Sequence, residues 1–146
     1  LAESAFLETC HRCGSCIEAC PADAILPLKT QHPGKTDTPY IDPQHQPCVV
    51  CADLACMSVC PSGALQSLGR EEIRMGLAVL DAESCIRSRG EDCRICADLC
   101  PIGRSAIEVQ KVGSIMVHED GCVGCGICEN ACPTSPSAIG IRSIVD

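Results

Sequence analysis

Tryptophan is absent from the 146 residues, and Phe6 and Tyr40 are the entire aromatic complement. The apolar fraction is 46%, but it includes 16 cysteines, and the remainder is mostly Ala, Ile, Leu and Val. Small domains bury a limited share of their surface and hold together with the help of staples or metals. Side-chain packing alone therefore does not fill the middle of this chain. Basic residues are scarce as well: 11 Lys and Arg face 19 Asp and Glu, a formal charge of −8, with no block that could track a phosphate backbone. That balance argues against nucleic acid as a partner. No run approaches the roughly 18 to 20 apolar residues that a membrane-crossing helix needs, so no transmembrane segment is expected. No charged-then-apolar signal segment is visible, and the first residue is Leu1 rather than Met; the expectation is that an upstream segment, with room for a targeting signal, is missing. Gly-x-Gly-x-x-Gly, P-loop and His-Glu-x-x-His motifs are lacking. His11, His32, His45 and His118 are scattered and match no metal or triad spacing; His11, beside Cys10, would either be a plain loop histidine or tune a neighbouring centre.

What the chain does have is cysteine in a repeated pattern. Residues 10–21 read CHRCGSCIEACP and residues 122–133 read CVGCGICENACP. Four quartets run along the chain, each closed by Cys-Pro: Cys10, Cys13, Cys16, Cys20; Cys48, Cys51, Cys56, Cys60; Cys85, Cys93, Cys96, Cys100; and Cys122, Cys125, Cys128, Cys132. No cysteine is left over. Cysteines at i, i+3 and i+6 would alternate faces on a strand, so the quartets fit irregular loops curling round one object. The fourth cysteine belongs at a short helical turn, such as Ile17 to Cys20 or Glu129 to Cys132, which proline then stops. Between quartets, small residues follow each Cys-Pro and apolar runs come next, at Ile25 to Leu28, Pro39 to Ile41, Met75 to Leu80, Ile107 to Val109 and Ser114 to Val117. These runs predict short hairpin strands joined by loops holding Gly34, Gly69 and Gly113. The fold class expected is α+β with little regular structure.

Three thiolates within seven residues suit three corners of an iron-sulfur cube, and a fourth pointing away suits a second cube; this is the bacterial ferredoxin spacing. Quartets working in pairs give four 4Fe-4S clusters, with all 16 cysteines as cofactor-binding ligands. Structural zinc prefers two Cys-x2-Cys pairs, and disulfides need no fixed local spacing. The expanded gaps, Cys51 to Cys56 and Cys85 to Cys93, keep the ligand count and lengthen surface loops, as drift or as places for partner contact. Gly14, Gly121, Gly124 and Gly126 are expected to let backbone N–H groups approach sulfide. Arg87, Arg89 and Arg94 around the third quartet would either favour its reduced cluster and raise its potential, or point into water. Each oxidised cluster with its thiolates adds two negative charges, bringing the loaded protein to about −16, a surface for basic patches on redox partners. No open iron position and no substrate site are evident, so the chain reads as an electron-transfer component and not an enzyme.

The residues also resemble a family, the ferredoxin-type proteins of the NapG and MauM kind. The likeness lies in CHRCGSCIEACP, in TPYID (38–42), in CVVCADLACMSVCPSGAL (48–65), in RMGLAVLDAESC (74–85) with its long gap to Cys93, and in CVGCGICENACP. It implies a polyferredoxin of the respiratory chain in the periplasm, exported folded because bare thiols would oxidise there. It also implies its partners: a quinol-oxidising, membrane-bound iron-sulfur protein as donor, and a soluble redox partner, a terminal reductase or cytochrome, as acceptor. The competing resemblance is to the iron-sulfur electron-transfer subunit of molybdopterin oxidoreductases, which shares the Cys-x2-Cys-x4-Cys-x3-Cys-Pro second quartet. Both resemblances imply a nested arrangement of two bacterial-ferredoxin-like lobes. Residues 1–38 with 112–146 would form an outer lobe, with 39–111 inserted as an inner one. Cluster ligands would then be Cys10, Cys13, Cys16 with Cys132; Cys48, Cys51, Cys56 with Cys100; Cys85, Cys93, Cys96 with Cys60; and Cys122, Cys125, Cys128 with Cys20. The nested arrangement is the one expected; sequential pairing, first quartet with second and third with fourth, is the lesser alternative that linker lengths also permit.

Overall fold

In the computed structural model, residues 1–32, 34–111 and 113–144 are described. Apolar runs flanking the quartets are too short to do more than form strands of three or four residues. These are β1 (Ile25–Pro27), β2 (Pro39–Ile41), β3 (Leu77–Leu80), β4 (Ile107–Val109), β5 (Ile115–Val117) and β6 (Ile139–Arg142). They make antiparallel pairs only. β1 pairs with β2, setting Ile25 opposite Ile41; β4 pairs with β5, setting Ile107 opposite Val117; β3 pairs with β6, setting Leu80 opposite Ile139. Among the described residues there are also five short α-helices, α1 (Glu3–Thr9), α2 (Ser15–Glu18), α3 (Ala55–Ser58), α4 (Ile95–Asp98) and α5 (Ile127–Asn130), and three 3-10 turns. Helices α2 to α5 are single turns inside the cysteine quartets, each ending two residues before the quartet's fourth cysteine. α1 has no counterpart in the cysteine pattern.

The expected class, α+β with two ferredoxin-like lobes, is what forms. The division into an outer lobe of 1–38 with 112–146 (whose bounding residues 112 and 146 lie outside the described residues) and an inner lobe of 39–111 is not. The hairpin β1–β2 returns the chain from the first quartet directly to the second, and β4–β5 returns it from the third to the fourth. β3, which leads into the third quartet, pairs with β6, which follows the fourth, and so closes that lobe on itself. A strand's ladder bonds can be spent on one neighbour per edge, so these three pairings fix consecutive lobes. The hairpin expected at Gly69 is absent for the same reason: Ile139 and Ile141 of β6 take β3. Gly69 instead opens a 3-10 turn (Arg70–Glu72), its N–H donating to Glu72 Oε2 at 2.6 Å.

Two apolar clusters hold the assembly. Ala78, Ile107, Ile115, Cys122 and Ile139 are buried together inside the second lobe. Val50 from the first lobe, Ile73 from the connection, and Val123 and Cys125 from the second lobe form the other, so the lobes share a core. Backbone and amide bonds run beside it: Met75 N–H donates to the Val123 carbonyl at 3.1 Å, and Asn130 Nδ2 donates to the carbonyls of Pro43 and Gln44, both at 3.1 Å. Gly124, at φ +71°, lies against the backbone of Gly76, where any Cβ would collide. That contact seats the quartet-four loop on the strand leading to quartet three.

Candidate metal centres

All 16 cysteines are free thiols. They converge on four places, and the groups are not the nested ones. At site 1, Cys10, Cys13 and Cys16 line one small cavity with Cys60. At site 3, Cys122, Cys125 and Cys128 line another with Cys100. At site 4, Cys85, Cys93 and Cys96 line a third with Cys132. Site 2 is defined by charge: burial, then the neighbouring Cys48, Cys51 and Cys20, push the Cys56 thiol up to about 11. Cys60, Cys20, Cys132 and Cys100 have therefore exchanged the places that nesting would give them. The physical reason is local. α2 carries Cys16 into site 1 and delivers Cys20, just past its end, to site 2; α3 carries Cys56 into site 2 and delivers Cys60 to site 1. α4 and α5 repeat the exchange between sites 4 and 3 with Cys96, Cys100, Cys128 and Cys132.

Among the described residues no three His, Cys, Asp or Glu side chains come close enough to hold a single metal ion. The thiols stand round a space instead of meeting at a point, which fits a polynuclear cluster and not tetrahedral zinc. Backbone donors already surround the sulfurs at 3.4 Å: Arg12 N–H to Cys10, Ala24 to Cys20, Val50 to Cys48, Leu65 to Cys60 and Ala78 to Cys122. Such bonds to cluster sulfur raise potential by stabilising added negative charge.

Hydroxyls add a second kind of donor beside three sulfurs. Ser15 Oγ lies 3.4 Å from Cys13 Sγ, Ser62 Oγ 3.6 Å from Cys60 Sγ, and Thr134 Oγ1 3.2 Å from Cys132 Sγ. At Cys132 desolvation works upward, yet the hydroxyl and amide of Thr134, with Ser137 and Ala138, bring the thiol down to about 7. Cys128 goes the other way: burial, then the charges of Cys125, Cys122 and Cys96, push it up to about 12.

Adjacent sites touch. Cys48 of site 2 donates its N–H to the carbonyl of Cys125 of site 3 at 3.0 Å, and the Cys125 thiol, pushed up to about 11 by burial, feels Cys100, Cys48 and Cys122. With each lobe's helices interleaving sites 1 with 2 and 3 with 4, the order is 1, 2, 3, 4. Site 1 ends the row nearest solvent, since Cys13 is exposed.

The 4Fe-4S dicluster domain family matches twice, at residues 9–64 and 84–135, each match spanning one lobe as the structure draws it. The chain belongs to the 4Fe-4S dicluster family. It is 39% identical over 134 residues to the ferredoxin-type protein NapG of Haemophilus influenzae, covering 83% of this chain and 48% of that protein. It is 38% identical over 136 residues to the methylamine utilization ferredoxin-type protein MauM of Methylobacillus flagellatus, covering 86% and 58%. A shorter likeness, 38% over 78 residues, is to the probable anaerobic dimethyl sulfoxide reductase chain YnfG of Escherichia coli, covering 53% and 31%. The chain thus spans about half to three fifths of the NapG and MauM relatives. The relatives are named ferredoxin-type proteins, and the two dicluster matches mark this chain as an iron-sulfur protein.

Two sequence readings of the surroundings change. The quartet glycines are not chiefly spaces for sulfide. Gly121 and Gly124 are packed against the backbones of Ser105 and Gly76, and Gly126 against the Pro43 ring; Gly14 has nothing within 4 Å and is needed for its left-handed φ of +82° at the start of α2. The three arginines do not act alike. Arg89 is exposed, and Arg94 pairs at 3.0 Å with Asp98 on the surface, but Arg87 is tucked in. His11 lines the site 1 cavity while remaining exposed, and His118 faces Glu108 at 3.7 Å on the β4–β5 hairpin.

Sequence reasoning passed over Arg12. At φ +53°, it donates from Nε to the buried Thr38 Oγ1 at 3.2 Å, from Nη1 to the Cys10 carbonyl at 3.3 Å, and from Nη2 to the carbonyls of Leu7 and Gly34. It fastens the first cysteine loop to α1 and to the β1–β2 connection. A cation lodged inside an otherwise regular cysteine loop of an acidic chain was the available signal.

Proposed function

We propose that this chain relays single electrons through four 4Fe-4S clusters bound in the order site 1, site 2, site 3, site 4. The ligands are Cys10, Cys13, Cys16, Cys60; Cys20, Cys48, Cys51, Cys56; Cys100, Cys122, Cys125, Cys128; and Cys85, Cys93, Cys96, Cys132. The observation that carries the reading is the continuity of this row, above all the 3.0 Å bond by which ligand Cys48 of one lobe meets ligand Cys125 of the other. Bound clusters supply one-electron chemistry; the chain's residues hold them at fixed separations, exclude water from Cys122 and Cys125, and leave Cys13 at the surface for exchange with a partner. Its donor is a quinol-oxidising iron-sulfur membrane protein, its acceptor a soluble terminal reductase or cytochrome, and its compartment the periplasm, as the likeness to NapG and MauM supports. No helix among the described residues is long and apolar enough to cross a membrane. Acidic surface suits basic partner faces, with attachment weakened by salt.

The test is anaerobic purification of the native protein, with iron and labile sulfide counted and co-purifying subunits identified. About 16 irons per chain and a quinol-oxidising membrane partner support the proposal; a colourless protein without labile sulfide overturns it. The 78-residue likeness to a dimethyl sulfoxide reductase chain favours a second reading, an electron-transfer subunit of a molybdopterin oxidoreductase. A molybdopterin subunit bound directly to the purified protein would select that reading.

A further inference from the structure

The seven residues inserted between Cys85 and Cys93 are not a slack loop. Arg87–Arg89 form a 3-10 turn, Gly90 follows at φ +99°, and Glu91 N–H returns to the Ile86 carbonyl at 3.1 Å, closing the loop on itself. The turn folds one cation inward. Arg87 Nη1 donates to the Cys93 carbonyl at 3.3 Å and to Asp92 Oδ1 at 2.9 Å, and Nη2 reaches the Gln110 carbonyl at 3.5 Å beyond β4. Its Nε is buried without a hydrogen-bond partner among the described residues. The side chain is 12% exposed, whereas that of Asp92, its counter-ion, is 90% exposed. Water screens the carboxylate far more than the guanidinium, so the pair presents net positive charge to the interior. The other two cations cannot do this: Arg89 lies in solvent and Arg94 is neutralised by Asp98.

We propose that Arg87, held by this loop against the backbone of Cys93, raises the reduction potential of the cluster at Cys85, Cys93, Cys96 and Cys132. The inference rests on the cluster reading above and names the residue that sets one centre apart. Reduction adds one electron, drawn from the reductant, and no bond forms or breaks. The added negative charge falls within roughly 10 Å of a desolvated cation, and at an effective dielectric near 20 that attraction is worth about tenfold or somewhat more in the reduction equilibrium. The loop thereby acquires a purpose that drift does not give it: an ordinary two-residue gap between ligands has no room for a turn that returns an arginine to the ligand's carbonyl.

Redox titration of the full chain, followed by EPR with dithionite as reductant, tests this. Cys93→Ser marks the centre in question by its altered spectrum. Arg87→Gln is expected to lower the midpoint of that centre alone by about tenfold in equilibrium constant, about 59 mV for a one-electron couple. Arg87→Lys, which keeps the charge and loses the fork geometry, is expected to restore most of it. An unmoved midpoint in Arg87→Gln with iron content intact overturns the proposal. If Arg87→Gln fails to assemble, Arg87→Lys decides: a midpoint near that of the native protein supports the role of charge, and a fall as large as tenfold refutes it. Finding no cluster at Cys93 in the native protein would instead be a failure of the relay reading, and the iron count separates that result from the others.

Discussion

Paired alanine substitutions in the full chain discriminate the two ways of pairing the quartets. Cys16→Ala with Cys60→Ala removes two ligands. If both serve site 1, as the shared cavity indicates, one centre is lost and three are untouched. Under nesting, Cys16 and Cys60 belong to different lobes, two centres are damaged and two remain. The control, Cys16→Ala with Cys132→Ala, reverses the forecast: site 1 and site 4 each lose a ligand, leaving two intact centres. Iron analysis reads about 12 of about 16 irons for the first variant, with integrated dithionite-reduced EPR intensity close to three spins per chain. The control falls toward two unperturbed centres. A single missing ligand often leaves an incomplete cluster, so unperturbed spins are the sharper measure and total iron the coarser one. Equal damage in both variants, or the opposite ranking, would refute the consecutive lobes and with them the strand-pairing argument.

Gly124→Ala should cost at least about 2 kcal/mol, because its Cβ meets the Gly76 backbone and its φ of +71° disfavours L-residues; thermal unfolding and iron retention at site 3 check this. Arg12→Met should lower stability by about 1–3 kcal/mol by leaving Thr38 Oγ1 and the Cys10 and Leu7 carbonyls short of a donor, read by denaturant unfolding of the apoprotein. The apoprotein's stability should fall as pH rises above about 9, the ordinary thiol value. Burial raises Cys56, Cys96 and Cys125 to about 11 and Cys128 to about 12, so between about 9 and 12 the unfolded chain has lost protons that the folded one retains. Cys132 opposes this with the reverse sign: its thiol at about 7 contributes fully above 9 and nothing once pH drops below 7. Thr134→Val should move the alkylation midpoint of Cys132 upward from about 7, as followed by peptide mapping.

The quartets were legible because ligand spacing is a local property: three thiolates and a Cys-Pro corner read the same wherever they stand. Pairing was not legible, because a fourth cysteine such as Cys20 or Cys60 has identical neighbours under either arrangement, and loop closure depends only weakly on length. Strand register decided it. The alternation Ile139, Gly140, Ile141 after the last quartet matches Leu77 to Leu80 before the third, whereas nothing comparable follows the second quartet, where Gln66 and Ser67 break the apolar run. Reading those two flanks together would have indicated a lobe closed on quartets three and four. Glycine roles were missed for another reason. Whether Gly121 or Gly124 faces sulfur or backbone depends on what the fold lays against it, Ser105 and Gly76 here, and neither is near in sequence.

Consecutive lobes also change what the molecule must conserve to conduct. In a nested chain the join between lobes would be made by two crossing strands of polypeptide; here a single connection, 69–76, links them, and the proposed electron path does not follow it. Crossing depends instead on Cys48 meeting Cys125, supported by Val50, Ile73 and Val123 in the shared core and by Asn130 holding Pro43 and Gln44. Val123→Ala should therefore slow transfer between sites 2 and 3 before it harms either cluster, because a truncated core side chain loosens the contact without touching a ligand. Partial reduction from the site 1 side, trapped by rapid freezing, would show electrons accumulating in the first lobe. Equal filling of both lobes at the native rate would mean that the shared core carries stability alone and that the crossing lies elsewhere.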